Sequence, residues 1–210
     1  MSLIAKSGYA YPNKFGRLII LALRDVMGQN GIDTILDTGG LQELKDQYPP
    51  DNLNKEFDFA DLSSILIALE QMYGSRGGRG LANRAGRALF ADGLKDFGTL
   101  AGLGDLALRM LPLEKKLNLG LPAFAKIFNQ ISDQIVVVDQ DGNDYLWKII
   151  RCPVCWGRTG SSKPVCDLAG GLLEESLEWA SGGSRFLVVE EKCVAMGDDL
   201  CQFRISVIES

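Results

Sequence analysis

Three cysteines and a carboxylate near the end of the chain restrict its fold more than any other feature. They are Cys166 and the run Glu190-x2-Cys193-x7-Cys201, in 210 residues that include no histidine. Cys193 and Cys201 flank Gly197-Asp198, a turn signal, which predicts that they face one another across a hairpin. Soft thiolates and a carboxylate gathered by a turn can close a tetrahedral shell around zinc with no position left open. A shell of that kind fastens elements together and does no chemistry. Strand alternation puts Glu191 and Cys193 on one face and Glu190 on the other. Parity therefore favours Glu191 as the carboxylate ligand, whereas a β-bulge near Lys192 would turn Glu190 inward instead. Cys152-Pro153-Val154-Cys155 follows a predicted strand rather than opening a helix, and no second C-x-x-C accompanies it. It reads as a pair of buried or incidental cysteines, not as a redox pair or half of a zinc ribbon.

The absence of histidine removes the Ser-His-Asp triad, the Cys-His dyad and histidine-ligated catalytic zinc. A net charge of -5 opposes nucleic-acid binding. No stretch approaches the ~18 uninterrupted apolar residues of a membrane span. The N-terminus lacks a secretory apolar core. An odd number of cysteines, five, suits a reducing compartment better than a disulfide framework. The expectation is a cytoplasmic protein without a nucleic-acid or membrane partner.

The first half reads as helical. Phe15, Leu18, Ile19, Ala22 and Val26 recur at helical spacing, with Gly28 and Gly31 punctuating the end. Residues 37–57 read as loop and turns. Leu62, Ile65, Leu66, Leu69 and Tyr73 form the apolar stripe of a helix opened by Asp61 and ended by Gly74. The glycines between Gly74 and Gly80 fit no nucleotide-binding spacing and read as a hinge before a helix over 81–94. Arg76, Arg79, Arg84 and Arg87 form a positive cluster, read as a solvated face. Arg84 and Arg87, one turn apart, could alternatively meet a carboxylate on a ligand or partner. From Phe97 to Ile131 leucines crowd between glycines and prolines, as short core helices or as the walls of an apolar cavity. The second half then predicts a hairpin (135–138 and 145–150, turning at Asp141-Gly142), a helix over 164–180 containing Gly170-Gly171, and a second hairpin (186–193 and 201–208). Helices first and an antiparallel sheet afterwards make the fold class α+β.

The segment running from Cys166-Asp-Leu-Ala-Gly-Gly-Leu-Leu to Glu190-Glu-Lys-Cys193, Gly197-Asp198 and Cys201-Gln-Phe203 resembles the 4-vinyl reductase domain family, in its hydrocarbon-binding type, over about residues 147–208. The resemblance implies N-terminal helices packed on a twisted antiparallel sheet, as in transport-protein-particle subunits. Residues 1–145 would be a mainly helical part completing the fold, and 146–210 the α+β region of 4-vinyl reductase type. It also implies a homodimer, and a structural zinc on Cys166, Glu190, Cys193 and Cys201, which places the carboxylate at Glu190 and requires the bulge. A related domain senses ligands in phenol-responsive activators, so the implied function is binding of a small apolar or aromatic molecule. Phe97, Leu100, Leu106, Met110, Phe124, Phe128 and Trp147 are the candidate pocket residues. Two alternatives stand beside this reading: an accessory protein or 4-vinyl reductase of (bacterio)chlorophyll synthesis, and a dimeric interaction scaffold. No flavin or nicotinamide motif accompanies the cysteines.

Overall fold

The computed structural model describes residues 4–91 and 110–208. α1 (Asn13–Met27) buries Phe15, Ile19, Ile20 and Leu23 and stops at Gly28, whose φ of 80° releases the chain from the helix. α2 (Gln29–Thr38) begins at once and runs through Gly31, so Gly28 alone marks the break. Two short strands, β1 (Ala10–Pro12) and β2 (Lys55–Asp58), pair antiparallel. Between α2 and β2 lies the one-turn helix α3 (Glu43–Asp46).

α4 (Phe59–Leu89) is capped by Asp58, whose carboxylate accepts the Ala60 N–H at 2.8 Å. It breaks at Gly74 (φ 71°, ψ 160°) and resumes immediately. Gly77, Gly78 and Gly80 are therefore helical. Gly74 is the expected hinge between two helices, and the glycines after it form no phosphate-binding loop.

α5 (Leu113–Ile131) leads into the hairpin β3 (Ile135–Asp141) and β4 (Asp144–Arg151). α6 (Asp167–Ser181) then crosses to β5 (Phe186–Lys192) and β6 (Cys201–Val207). The four strands form an antiparallel sheet in the order β3-β4-β6-β5. Its inner face carries Tyr145, Trp147, Ile149, Cys201, Phe203 and Ile205, all buried. The architecture is the α+β arrangement expected, with helices against one face of an antiparallel sheet.

α4 and α6 approach one another at their glycines. A Cβ on Gly86 would lie 2.1 Å from the Leu168 carbonyl oxygen, and one on Gly171 would lie 2.0 Å from that of Asn83. This close approach explains why α6 accepts glycine in its middle, where it is otherwise unfavourable by about 1 kcal/mol relative to alanine. Across the same interface Arg79 pairs with Asp167 and Arg87 with Glu174, Glu175 and Glu178. No helix among the described residues is long and apolar enough to cross a membrane.

Candidate metal centre and adjoining cavity

Pairing of β4 with β6 sets Ile149 opposite Cys201. The loop leaving β4, with Cys152 and Cys155, therefore emerges at the same end of the sheet as Cys201. β5 ends there too, followed by Cys193 and a 3₁₀ turn over Val194–Met196. α6 contributes Cys166 as its N-cap residue. All five cysteines are buried, and none is in a disulfide. Cys155 Sγ lies 3.3 Å from Cys166, 3.4 Å from Cys193 and 3.5 Å from Cys201. Cys166 is in turn 3.5 Å from Cys152 and 3.6 Å from Cys201.

Between Glu190 and Lys192 the β5–β6 register shifts: Glu190 pairs with Phe203 and Lys192 with the adjacent Gln202. This irregularity breaks the simple alternation that favoured Glu191. Glu191 instead bonds Gln202 and Arg204 on the outer face. Glu190 lies with the cysteines, where its Oε2 accepts the Cys166 N–H at 2.8 Å. Its Oε1 is buried without a hydrogen-bond partner among the described residues. Burial, with the Cys193 thiol beside it, pushes the Glu190 carboxyl up to about 9. Burial likewise pushes the Cys166 thiol up. Cys155, contacted by Cys152, Cys166, Cys193 and Cys201, is pulled down by those contacts.

Two overlapping sets of four donors are close enough to hold an ion: Cys152, Cys155, Cys166 and Cys201; and Cys166, Glu190, Cys193 and Cys201. The second is the set the sequence resemblance implied. The first includes the C-x-x-C that the sequence left as incidental. A tetrahedral shell with metal–sulfur bonds of about 2.3 Å has sulfur–sulfur edges of about 3.8 Å. The observed contacts of 3.3–3.6 Å need to open only slightly to admit an ion. The orphaned carboxylate oxygen supplies a further donor without a competing partner. Sulfurs in mutual contact leave no room for the inorganic sulfide core of an iron–sulfur cluster. The surrounding backbone is arranged to hold the donors: Asp198 accepts the Cys193 N–H at 2.8 Å, and the Val194 N–H points at Cys201 Sγ at 3.4 Å.

Beside the cysteines lies a cavity of about 30 Å³, reached between the helices and the inner face of the sheet. Its walls include Phe15, Leu62, Phe128, Trp147 and Leu172, with Tyr11 and Gln134 as polar members. The Tyr11 hydroxyl donates to Gln134 Oε1. Val154, between Cys152 and Cys155, and Leu168, two residues after Cys166, form the part of the wall nearest the donor cluster.

Of the candidate pocket residues, Phe128 and Trp147 line this cavity. Phe124 packs one layer behind, its ring 5.5 Å from that of Trp147. Met110 is 81% exposed in the turn before α5 and is not among the walls of this cavity. Phe97, Leu100 and Leu106 lie outside the described residues. Tyr11, Phe15 and Leu62, from the N-terminal elements, were missed because their helical or strand spacing marks burial but not which interface buries them. Arg84 and Arg87, the possible anion contact, both lie on α4. Arg87 is occupied by three glutamates of α6, and Arg84 is exposed and absent from the cavity walls.

Residues 147–207 match the 4-vinyl reductase domain. A search of curated protein sequences found no match. Among solved structures, the chain is similar to an Fe(II) unliganded H-NOX protein from K. algicida, with TM-score 0.58, 14% identity, and coverage of 95% of this chain and 97% of that one. It is also similar to an H-NOX protein from S. oneidensis in the Fe(II) ligation state, with TM-score 0.55, 18% identity, and 92% and 96% coverage. A vinyl-4-reductase family protein from Methanocaldococcus jannaschii aligns with TM-score 0.36 and 20% identity over 59% of this chain and 88% of that one. The H-NOX likeness establishes a shared fold. Haem is named for that family; the cavity described here, about 30 Å³, is smaller than a macrocycle.

Proposed function

We propose that this protein binds a small apolar or aromatic molecule in the cavity between its helices and sheet, and that a structural zinc ion stiffens one wall of that cavity. The observation that carries the reading is the cavity itself: apolar walls, two polar side chains, and a metal-competent cysteine cluster directly beside it. Binding pockets are mostly apolar with a few placed polar groups. Tyr11 and Gln134 would serve as that polar handle, offering a hydroxyl and an amide to a phenol-like ligand. Cys166, Glu190, Cys193 and Cys201 would hold the zinc, whose role is to tie the start of α6 to the ends of β5 and β6. At its present size the cavity accepts a few heavy atoms, so a ring-sized ligand would enter by moving Leu172 and the neighbouring α6 turn apart from the sheet.

The 4-vinyl reductase domain match and the fold shared with H-NOX proteins support a small-ligand-binding module. A homodimer in the cytoplasm is the assembly and location that fit the family resemblance. The direct test is calorimetric titration of the metal-loaded protein with phenol and with toluene, repeated on Leu172→Trp. The proposal predicts saturable binding of at least one probe to the wild type and none to the filled variant, whose stability falls by about 1–3 kcal/mol from overpacking. Equal heats for the two proteins, or none for either, would contradict it.

A further inference from the structure

The two edges of the four-stranded sheet are finished differently. At β3 the preceding helix closes the edge: Asn129 of α5 donates to the Val136 carbonyl at 2.8 Å and accepts the Val136 N–H at 2.7 Å. Both groups that could pair with a further strand are thereby occupied. No such contact meets β5 on its open side among the described residues. The Ile208 N–H donates to the Arg185 carbonyl at 3.0 Å, and the ladder continues with Phe186 opposite Val207 and Val188 opposite Ile205. Residues in step with Arg185 therefore bond to β6, whereas Phe186, Val188 and Glu190 turn their N–H and C=O groups outward. The solvent face of the same stretch carries Arg185, Leu187, Val189 and Glu191, all exposed, with Leu187 at 54% and Val189 at 43%. An open, apolar edge is a template for strand pairing, which native proteins usually cover or blunt.

We infer that a second copy of this chain covers it, the two β5 strands pairing antiparallel about a two-fold axis at Val188. Backbone pairing allows only registers that set an outward-turned residue against another. Centred on Val188, the register places Leu187 opposite Val189 of the second copy and Arg185 opposite its Glu191, each contact occurring twice by symmetry. Centred on Leu187, Arg185 would face Val189; centred on Val189, Leu187 would face Glu191. Charge complementarity therefore selects Val188. About six backbone hydrogen bonds would join the two sheets into one. The inference rests on the homodimer proposed above and names its surface.

The test is sedimentation equilibrium of the whole reduced, metal-loaded protein, of Arg185→Glu, of Glu191→Lys, and of the two variants mixed. Both positions are exposed, and circular dichroism checks that each variant is folded. The wild type should be a dimer. Each variant alone sets like charges opposite one another twice, so its dimer dissociation constant should rise about tenfold or more. The mixture restores both oppositely charged pairs and should form a one-to-one heterodimer of near wild-type strength. Glu191→Lys also loses the bonds to Gln202 and Arg204 within its own chain, a loss that mixing does not repair. Recovery on mixing therefore reports the contact between copies. A dimer indifferent to both substitutions overturns this interface while leaving the homodimer, as does weakening without recovery. A monomeric wild type overturns both.

Discussion

Buried Asp58 and half-buried Glu190 are carboxylates with opposite roles. Asp58 is fully served: it caps α4 through the Ala60 N–H and accepts both the backbone N–H and the hydroxyl of Ser7, tying the N-terminal segment to the core. Burial pushes its carboxyl up, but the hydrogen bonds from Ser7, Ala60 and Gly8 outweigh that and hold it below the usual carboxylate range. Its stabilisation is therefore present above the unfolded-state value of about 3.9 and disappears as pH falls through the lower folded value. Asp58→Ala should lower stability at neutral pH by about 1–2 kcal/mol and reduce the loss of stability on acidification, as chemical denaturation between acid and neutral pH would show. Glu190 is in the reverse position, with one oxygen unserved and its proton retained in the metal-free protein. Glutamine resembles that protonated acid in shape. Glu190→Gln should therefore leave the melting temperature of the chelated protein nearly unchanged and weaken zinc binding by about tenfold or more, measured by competition with a chromogenic chelator. Equal weakening of both forms would mean that Glu190 acts in packing rather than ligation.

At the scale of elements, α6 joins the cavity to the cysteine cluster, and its packing on α4 is set by Gly86 and Gly171. Gly171→Ala would drive a methyl into the Asn83 carbonyl, so a loss of about 3 kcal/mol or more is expected from denaturant unfolding. Gly170→Ala, whose methyl would meet only the Phe203 ring at 3.5 Å, should cost far less. Element positions in the second half were legible in the sequence because short apolar strands, the last of them alternating, are separated by turns that carry glycine. The glycine pair in α6 was recognisable as a site of close approach, though not its partner helix. The hinge at Gly74 was legible from its glycines, whereas the close approach of Gly78 to the Glu70 backbone across it was not. Glu190, Cys193 and Cys201 were legible because one hairpin holds them. Cys152 and Cys155 were not, because their place depends on β4 pairing with β6, a strand far along the chain. Pocket residues suffered similarly: Trp147 and Phe128 were found among apolar candidates, whereas Tyr11 reaches the cavity from the opposite end of the chain.

For the whole molecule, Val154 and Leu168 of the cavity wall lie within two residues of Cys155 and Cys166 of the cysteine cluster, so under the proposed zinc clamp stability and ligand binding should change together. Chelation should lower the melting temperature by about 10 °C or more, the shift expected when a ligand contributing about 4 kcal/mol is removed from a domain of this size. The same treatment should weaken phenol binding, because Val154 and Leu168 lose the tie that fixes them. The central claim, a metal-clamped ligand-binding protein, is tested most directly by a native mass spectrum of reduced protein purified without added metal, repeated under denaturing conditions. The account predicts zinc on every folded chain, together with any small molecule held in the cavity, and loss of both on denaturation. A bare chain that is nonetheless fully folded by circular dichroism and melts as before after chelation would contradict it.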